Sequence, residues 1–431
     1  MGQMMNQRSR VSTIALVCFV FLGLVGCWKA PDNSAIASPQ PTLSPVASPM
    51  TPRAETINPK LVEASNRFSL NLFSAIRKQA ADQNLFLSPA SVAFALSMTY
   101  NGATGETQKA METALAIQSM SVEELNQANA ALKTSLENPD KLVELVIANS
   151  LWARKGVPFD ASFLQTNQQF YGAEVTTLDF GDRNAPTQIN AWVNQSTKGK
   201  IRQIVDQLNP TDVMVLINTL YFKGPWSDPF QPEATQDAPF YLAGGKQKPH
   251  PLMSRGGRYP YFETADFQAI SLPYGNNGRL SMLVFLPKAK SNLVAFEQSL
   301  TPENWQAWMK QFQSRQGMIK LPRFKQQTSV ELNTALSALG MGVAFDPERA
   351  TFAKLSSVST HIDQVQHAAV ISVDEAGTEA AASTAVRMGV TSAPPPSEPF
   401  TMTVDRPFWF AIRDGKTGVV LFLGTISDPQ A

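Results

Sequence analysis

The chain of 431 residues offers little to hydrolytic chemistry: three histidines, His250, His361 and His367, and two cysteines, Cys18 and Cys27. There is no G-x-S-x-G nucleophile elbow, no H-E-x-x-H zinc motif and no glycine-rich phosphate loop. His361 and Asp363 stand two apart near His367, a spacing that could begin a metal pair. With no third ligand nearby they read as an exposed polar turn and a core histidine. No metal, no cofactor and no enzymatic activity are expected.

The most informative residues are instead those of a long loop near the C-terminus. From Val373 to Phe400 the chain reads VDEAGTEAAASTAVRMGVTSAPPPSEPF, with no large apolar side chain between Val373 and Val386 and three consecutive prolines near its end. A compact domain rarely keeps so long a connection unless the loop itself works. Read as a strand, one face carries Thr378, Ala380, Ala382, Thr384 and Val386. The other carries Glu379, Ala381, Ser383, Ala385 and Arg387, so both charges share a side. The small, uncharged face can enter a sheet without burying a charge.

The elements flanking this loop must form such a sheet. Val213–Phe222 and Leu280–Leu286 are continuous apolar runs of strand length, and Val419–Ile426 reads as a late buried strand. Asn58 and Pro59 are an N-cap and first helical position, followed by Leu61, Ala64, Phe68, Leu72 and Ile76 at helical spacing. Ser88-Pro89 opens a second helix, apolar enough to be buried all round. Helices and strands mix without βαβ regularity, which gives the class α+β.

The segment GTEAAASTA at 377–385, followed by FTMTVDRPFWFAI at 400–412, resembles the hinge and C-terminal signature of the serpins. The likeness extends through NLFLSPASVAFALSMTYNGATGET at 84–107, INAWVNQSTKGKI at 189–201, LINTLYFKGPWSDPF at 216–230, LPRFK at 321–325 and LSALGMGVAFD at 336–346. It implies three β-sheets, a large central one among helices, and an exposed reactive-centre loop. It also implies the function: a protease cuts the loop, is caught as an acyl-enzyme, and is carried off as the loop inserts into the main sheet. The kinetically trapped native state supplies the energy.

Residue by residue, the resemblance makes Glu375 the hinge glutamate, Gly377 the flexible turn and Thr378 the entry residue. Glu379, Ala380, Ala381, Ala382, Ser383 and Thr384 complete the hinge. A buried polar cluster where two strands part is implied at Ser88, Ser91, Asn218 and His367, with Trp226 beneath the top of the sheet. The family's spacing from the hinge puts the cleaved bond at Thr391-Ser392, with Val390 and Met388 as alternative cut points. The segment Thr378 to Thr391, at about 3.3 Å per residue, spans roughly 45 Å, most of a large sheet. A small β-branched Thr391 after Val390 suits an elastase-like or subtilisin-like serine protease.

Residues 1–27 read as a lipoprotein signal peptide. Arg8 and Arg10 precede an apolar run from Val11 to Leu24, and Leu24-Val25-Gly26-Cys27 resembles the bacterial lipobox, which makes Cys27 a lipidation site. Residues 28–57, rich in Pro, Ser, Ala and Thr, read as a disordered tether. Residues 58–431 form the serpin domain. Loss of residues 1–27 removes Arg8 and Arg10 and no acid, leaving 34 basic against 35 acidic residues, a balance that gives nucleic acid no hold. The expected protein is a monomer, lipid-anchored in a bacterial cell envelope, that inhibits a serine protease. The competing reading is a non-inhibitory serpin acting as a binding protein or envelope chaperone.

Overall fold

The computed structural model describes residues 57–79, 83–379 and 398–431. Its first helix, Pro59–Arg77, starts where Asn58 Oδ1 accepts from the Lys60 amide at 3.0 Å and Pro59 takes the first turn. Leu61, Ala64, Phe68, Leu72 and Ile76 are its buried stripe. The second helix, Pro89–Tyr100, is buried at almost every position, as its unbroken apolar content requires.

The strands form two ladders. A six-stranded sheet runs in the order Phe324–Glu331, Gln364–Val373, Gly377–Thr378, Met214–Pro225, Glu144–Arg154, Glu174–Leu178. In a nine-stranded sheet the apolar strands Leu280–Pro287, Phe408–Asp414 and Val420–Ile426 are consecutive neighbours, the last of them beside the edge strand Leu85–Leu87. Of the three sheets expected, two run into one another. The 17-residue strand Gln247–Glu263 pairs with Gln313–Pro322 along most of its length and with Phe267–Pro273 at its end, so one chain segment belongs to both.

Alternation along Met214–Pro225 assigns its two faces. Met214, Leu216, Leu220 and Phe222 join the main core with the first two helices. Val215 and Ile217 pack with Ala368 and Val370 against Ile189 and Val193 of the helix Ala185–Ser196 on the opposite face. The six-stranded sheet is therefore sandwiched, and anything entering it passes between these two layers.

Candidate functional site

Gln364–Val373 lies parallel to Met214–Pro225 from Gln364 opposite Val215 up to Ala369 opposite Leu220. Above that level the two strands part. Among the described residues no ladder pair joins Val370 and Ile371 to Tyr221 and Phe222. At the top of the gap Thr378 fills the space, antiparallel to both neighbours, opposite Val373 on one side and Gly224 on the other. The hinge, expected as part of an exposed loop, is thus already two residues into the sheet.

The turn that brings it there is built by Asp374. Its Oδ1 accepts from the amides of Ala376 (2.9 Å) and Gly377 (3.1 Å), while its own amide donates to the Gly377 carbonyl at 2.9 Å. Gly377 sits at φ +151, and a Cβ there would lie 2.6 Å from Pro225 Cα, so only glycine admits this approach. Thr378 is fully buried, with Oγ1 2.8 Å from Tyr274 Oη. The next residue leaves the strand: Glu379 donates its amide to the Ser372 carbonyl at 3.0 Å but has φ +52. Its carboxylate, almost buried, pairs with Lys200 at 3.2 Å.

Glu375 faces a guanidinium that its sequence context gave no means of naming. Arg323 holds it through Nε at 2.8 Å and Nη2 at 2.7 Å, and Thr235 Oγ1 donates as well. Burial works to raise the carboxyl's pKa, but these hydrogen bonds prevail and hold it below the usual range. Trp226 lies at the same level. It stacks on Tyr274 with centroids 4.4 Å apart, and Nε1 donates to the Asp374 carbonyl at 2.9 Å.

Lower down, Ser88, Ser91, Asn218 and His367 come together as expected, all fully buried. His367 and Asn218 are opposed in the parallel ladder, and Asn218 Oδ1 receives Nδ1–H of His367 and the Ser91 hydroxyl, each at 2.7 Å. His367 Nε2 accepts the Ser88 amide at 3.0 Å, and the Ser88 hydroxyl donates to the Leu421 carbonyl. These partners require the neutral Nδ1–H tautomer, and burial pushes the imidazole pKa down to about 4. Asn149, which the sequence did not single out, completes the network by accepting from Asn218 Nδ2.

His361 and Asp363 are not an exposed turn. Asp363 Oδ2 accepts from the amides of Val213 (2.6 Å) and Met214 (2.9 Å), and Oδ1 meets His361 Nε2 at 2.8 Å. No group of three metal-ligating side chains occurs among the described residues. Ala380, Ala381, Ala382, Ser383, Thr384, Thr391, Ser392 and Cys27 lie outside them.

The chain has counterparts among known proteins. Residues 63–429 match the family described as Serpin (serine protease inhibitor). The leukocyte elastase inhibitor of Sus scrofa is 34% identical over 86% of this chain and 100% of its own. Among solved structures, the thermophilic serpin tengpin in its native state superposes with a TM-score of 0.79 at 31% identity, over 87% of this chain and 95% of that one. Human thyroxine-binding globulin complexed with thyroxine also gives 0.79, at 27% identity over 86% and 99%. The chain belongs to the serpin family and has the α+β serpin fold. Many serpins inhibit proteases, and they do so as suicide substrates rather than as enzymes.

Proposed function

We propose that this serpin is a suicide inhibitor of an elastase-like or subtilisin-like serine protease, held on a bacterial membrane by lipid on Cys27. The supporting observation is Thr378 seated between Val373 and Gly224 above a gap in the sheet. The entry residue is docked and the two strands are parted, so insertion needs no new opening at the top.

In the reaction the protease serine oxygen adds to the Thr391 carbonyl carbon. The bond to Ser392 breaks, and the Ser392 nitrogen leaves as an amine with a proton from the enzyme's histidine. The freed segment from Glu379 onward then continues the strand begun at Thr378. Each step adds ladder hydrogen bonds and buries small side chains. The acyl ester travels with the strand, and water fails to release the protease before its active site is distorted.

The test is to mix the protein with an elastase-type and a subtilisin-type enzyme and run a denaturing gel. A band at the summed mass, with mass spectrometry placing the new end at Thr391, is the expected result. Cleavage without an adduct from these and from trypsin- and chymotrypsin-type enzymes moves the protein to the second reading, a binding serpin. In that reading a cavity of about 210 Å³ with Leu293, Val294 and Pro407 among its lining residues, where Arg77 and Arg406 pair with Glu297 and Asp405, is the place to look for a ligand.

A further inference from the structure

The two residues already in the sheet fix the register of everything that follows them. Thr378 opposes Val373 and Gly224. An antiparallel strand continued from it steps back one residue at a time along both neighbours. Thr384 then arrives between His367 and Asn218, and Arg387 between Gln364 and Val215, the first pair of the parallel ladder. Met388 falls between Asp363 and Met214, and Gly389 between Ile362 and Val213.

That level is bolted. Beyond the two amides that Asp363 Oδ2 holds from the opposite strand, its own amide donates to the Met214 carbonyl at 3.2 Å. Asn333 braces the same point from outside, donating to the Asp363 carbonyl at 2.6 Å and accepting from the Val365 amide at 2.9 Å. Higher up, among the described residues, the strands are joined by the backbone ladder from Gln364–Val215 to Ala369–Leu220 and by one side-chain pair, His367–Asn218.

We propose that Asp363 is a positioning residue for the last stage of insertion: its carboxylate fastens the parting strands at the level Met388 and Gly389 must occupy. It has to release Val213 and Met214 before Thr391 can pass. The inference rests on the insertion reading above. It also separates the candidate cut points, because an end at Met388 stops at the bolt whereas an end at Thr391 goes three residues beyond it.

The chain holds three histidines, so the event can be followed in the intact protein. With ring-labelled histidine in the full chain, the three imidazole signals are assigned from H250Q, H361Q and H367Q and recorded before and after loop cleavage by a subtilisin-type protease. The expected result is movement of two signals: His367, as Thr384 separates it from Asn218, and His361, as Asp363 leaves its place. Movement of His367 alone means the strand has entered without opening the bolt, and overturns the inference. Movement of neither means the loop has not inserted, and overturns the reading beneath it together with the inference.

A substitution series adds a kinetic readout. Asp363→Ala should lower the number of inhibitor molecules consumed per protease trapped by about twofold or more, since losing two charge-assisted hydrogen bonds lowers the final barrier. Asp363→Asn keeps an acceptor oxygen without the charge and should fall between the wild-type and alanine ratios. Equal ratios for the alanine and asparagine variants would count against Asp363.

Discussion

Tyr274 and Thr378 face one another across the top of the six-stranded sheet, both fully buried, their hydroxyl oxygens 2.8 Å apart. Thr378 therefore has a defined seat rather than a range of loop positions. Two aromatic rings stand beside it, Tyr274 and the Trp226 stacked on Tyr274.

A charge cannot be accommodated there. Thr378→Arg would bury a guanidinium in a fully enclosed seat sized for threonine, where the nearby Glu375 and Glu379 carboxylates are already paired with Arg323 and Lys200, a penalty of several kcal/mol even after relaxation. Binding and cleavage of the loop should persist while covalent complex falls by more than about tenfold, since about 1.4 kcal/mol is a factor of ten. Gel densitometry of adduct against cleaved product decides it. An unchanged adduct yield would sink the insertion account.

The Glu375–Arg323 pair fastens the hinge turn to the strand beside it. Arg323→Ala leaves a largely buried carboxylate without its main partner and should destabilise the native form by about 1–3 kcal/mol. The depressed Glu375 pKa gives the sign of its pH dependence. The stabilisation is complete above the ordinary carboxyl value of 4.5 and is lost as pH falls through the lower folded value. Unfolding midpoints from pH 6 to 3, wild type against the alanine variant, should converge at the acid end.

His367 acts over a higher window. Its pKa is depressed from 6.5 to about 4 by burial, so its contribution is complete above pH 6.5 and declines as pH falls toward 4. Two and a half pH units of linkage correspond to about 3 kcal/mol. Denaturation midpoints of wild type should drop across this range, while those of His367→Gln should stay flatter. Parallel curves for the two proteins would remove His367 from the explanation.

The proposed anchor rests on Cys27. Replacing it with serine should abolish incorporation of labelled fatty acid and shift the protein from the membrane fraction to the soluble one. Retention of the label in Cys27→Ser would exclude lipidation at that residue.

Much of this site was legible because polar residues stand out in apolar surroundings. Ser88 and Ser91 precede and open an apolar helix, and Asn218 and His367 interrupt strands, so each required a partner once buried. The strand runs were equally visible: Leu280–Leu286 is observed as Leu280–Pro287, and Val419–Ile426 as Val420–Ile426. What could not be read depends on register. Arg323 meets Glu375 because Phe324 is paired with Val373, a relation between segments some fifty residues apart that no local pattern encodes. The same holds for Asn149, and for Asp363, whose carboxylate looks idle until Val213 and Met214 are laid beside it. Nor does the small-residue alternation from Thr378 show where the resting strand stops. That is set by the left-handed turn at Glu379 and its pairing with Lys200.

The nine-stranded sheet has a consequence for how the molecule is made. Leu85–Leu87 pairs with Leu423–Thr425, and the Phe86 ring stacks on Phe422 at 5.1 Å and on Phe410 at 5.8 Å. An early segment therefore waits for a very late one while hundreds of residues are translated. Throughout that interval Phe86 and its neighbours lack the aromatic partners they stack on and stay open to pairing elsewhere. Delivery of the chain from its N-terminal side postpones closure of this sheet until the Val420–Ile426 strand has emerged, so the sheet closes only at the end of synthesis.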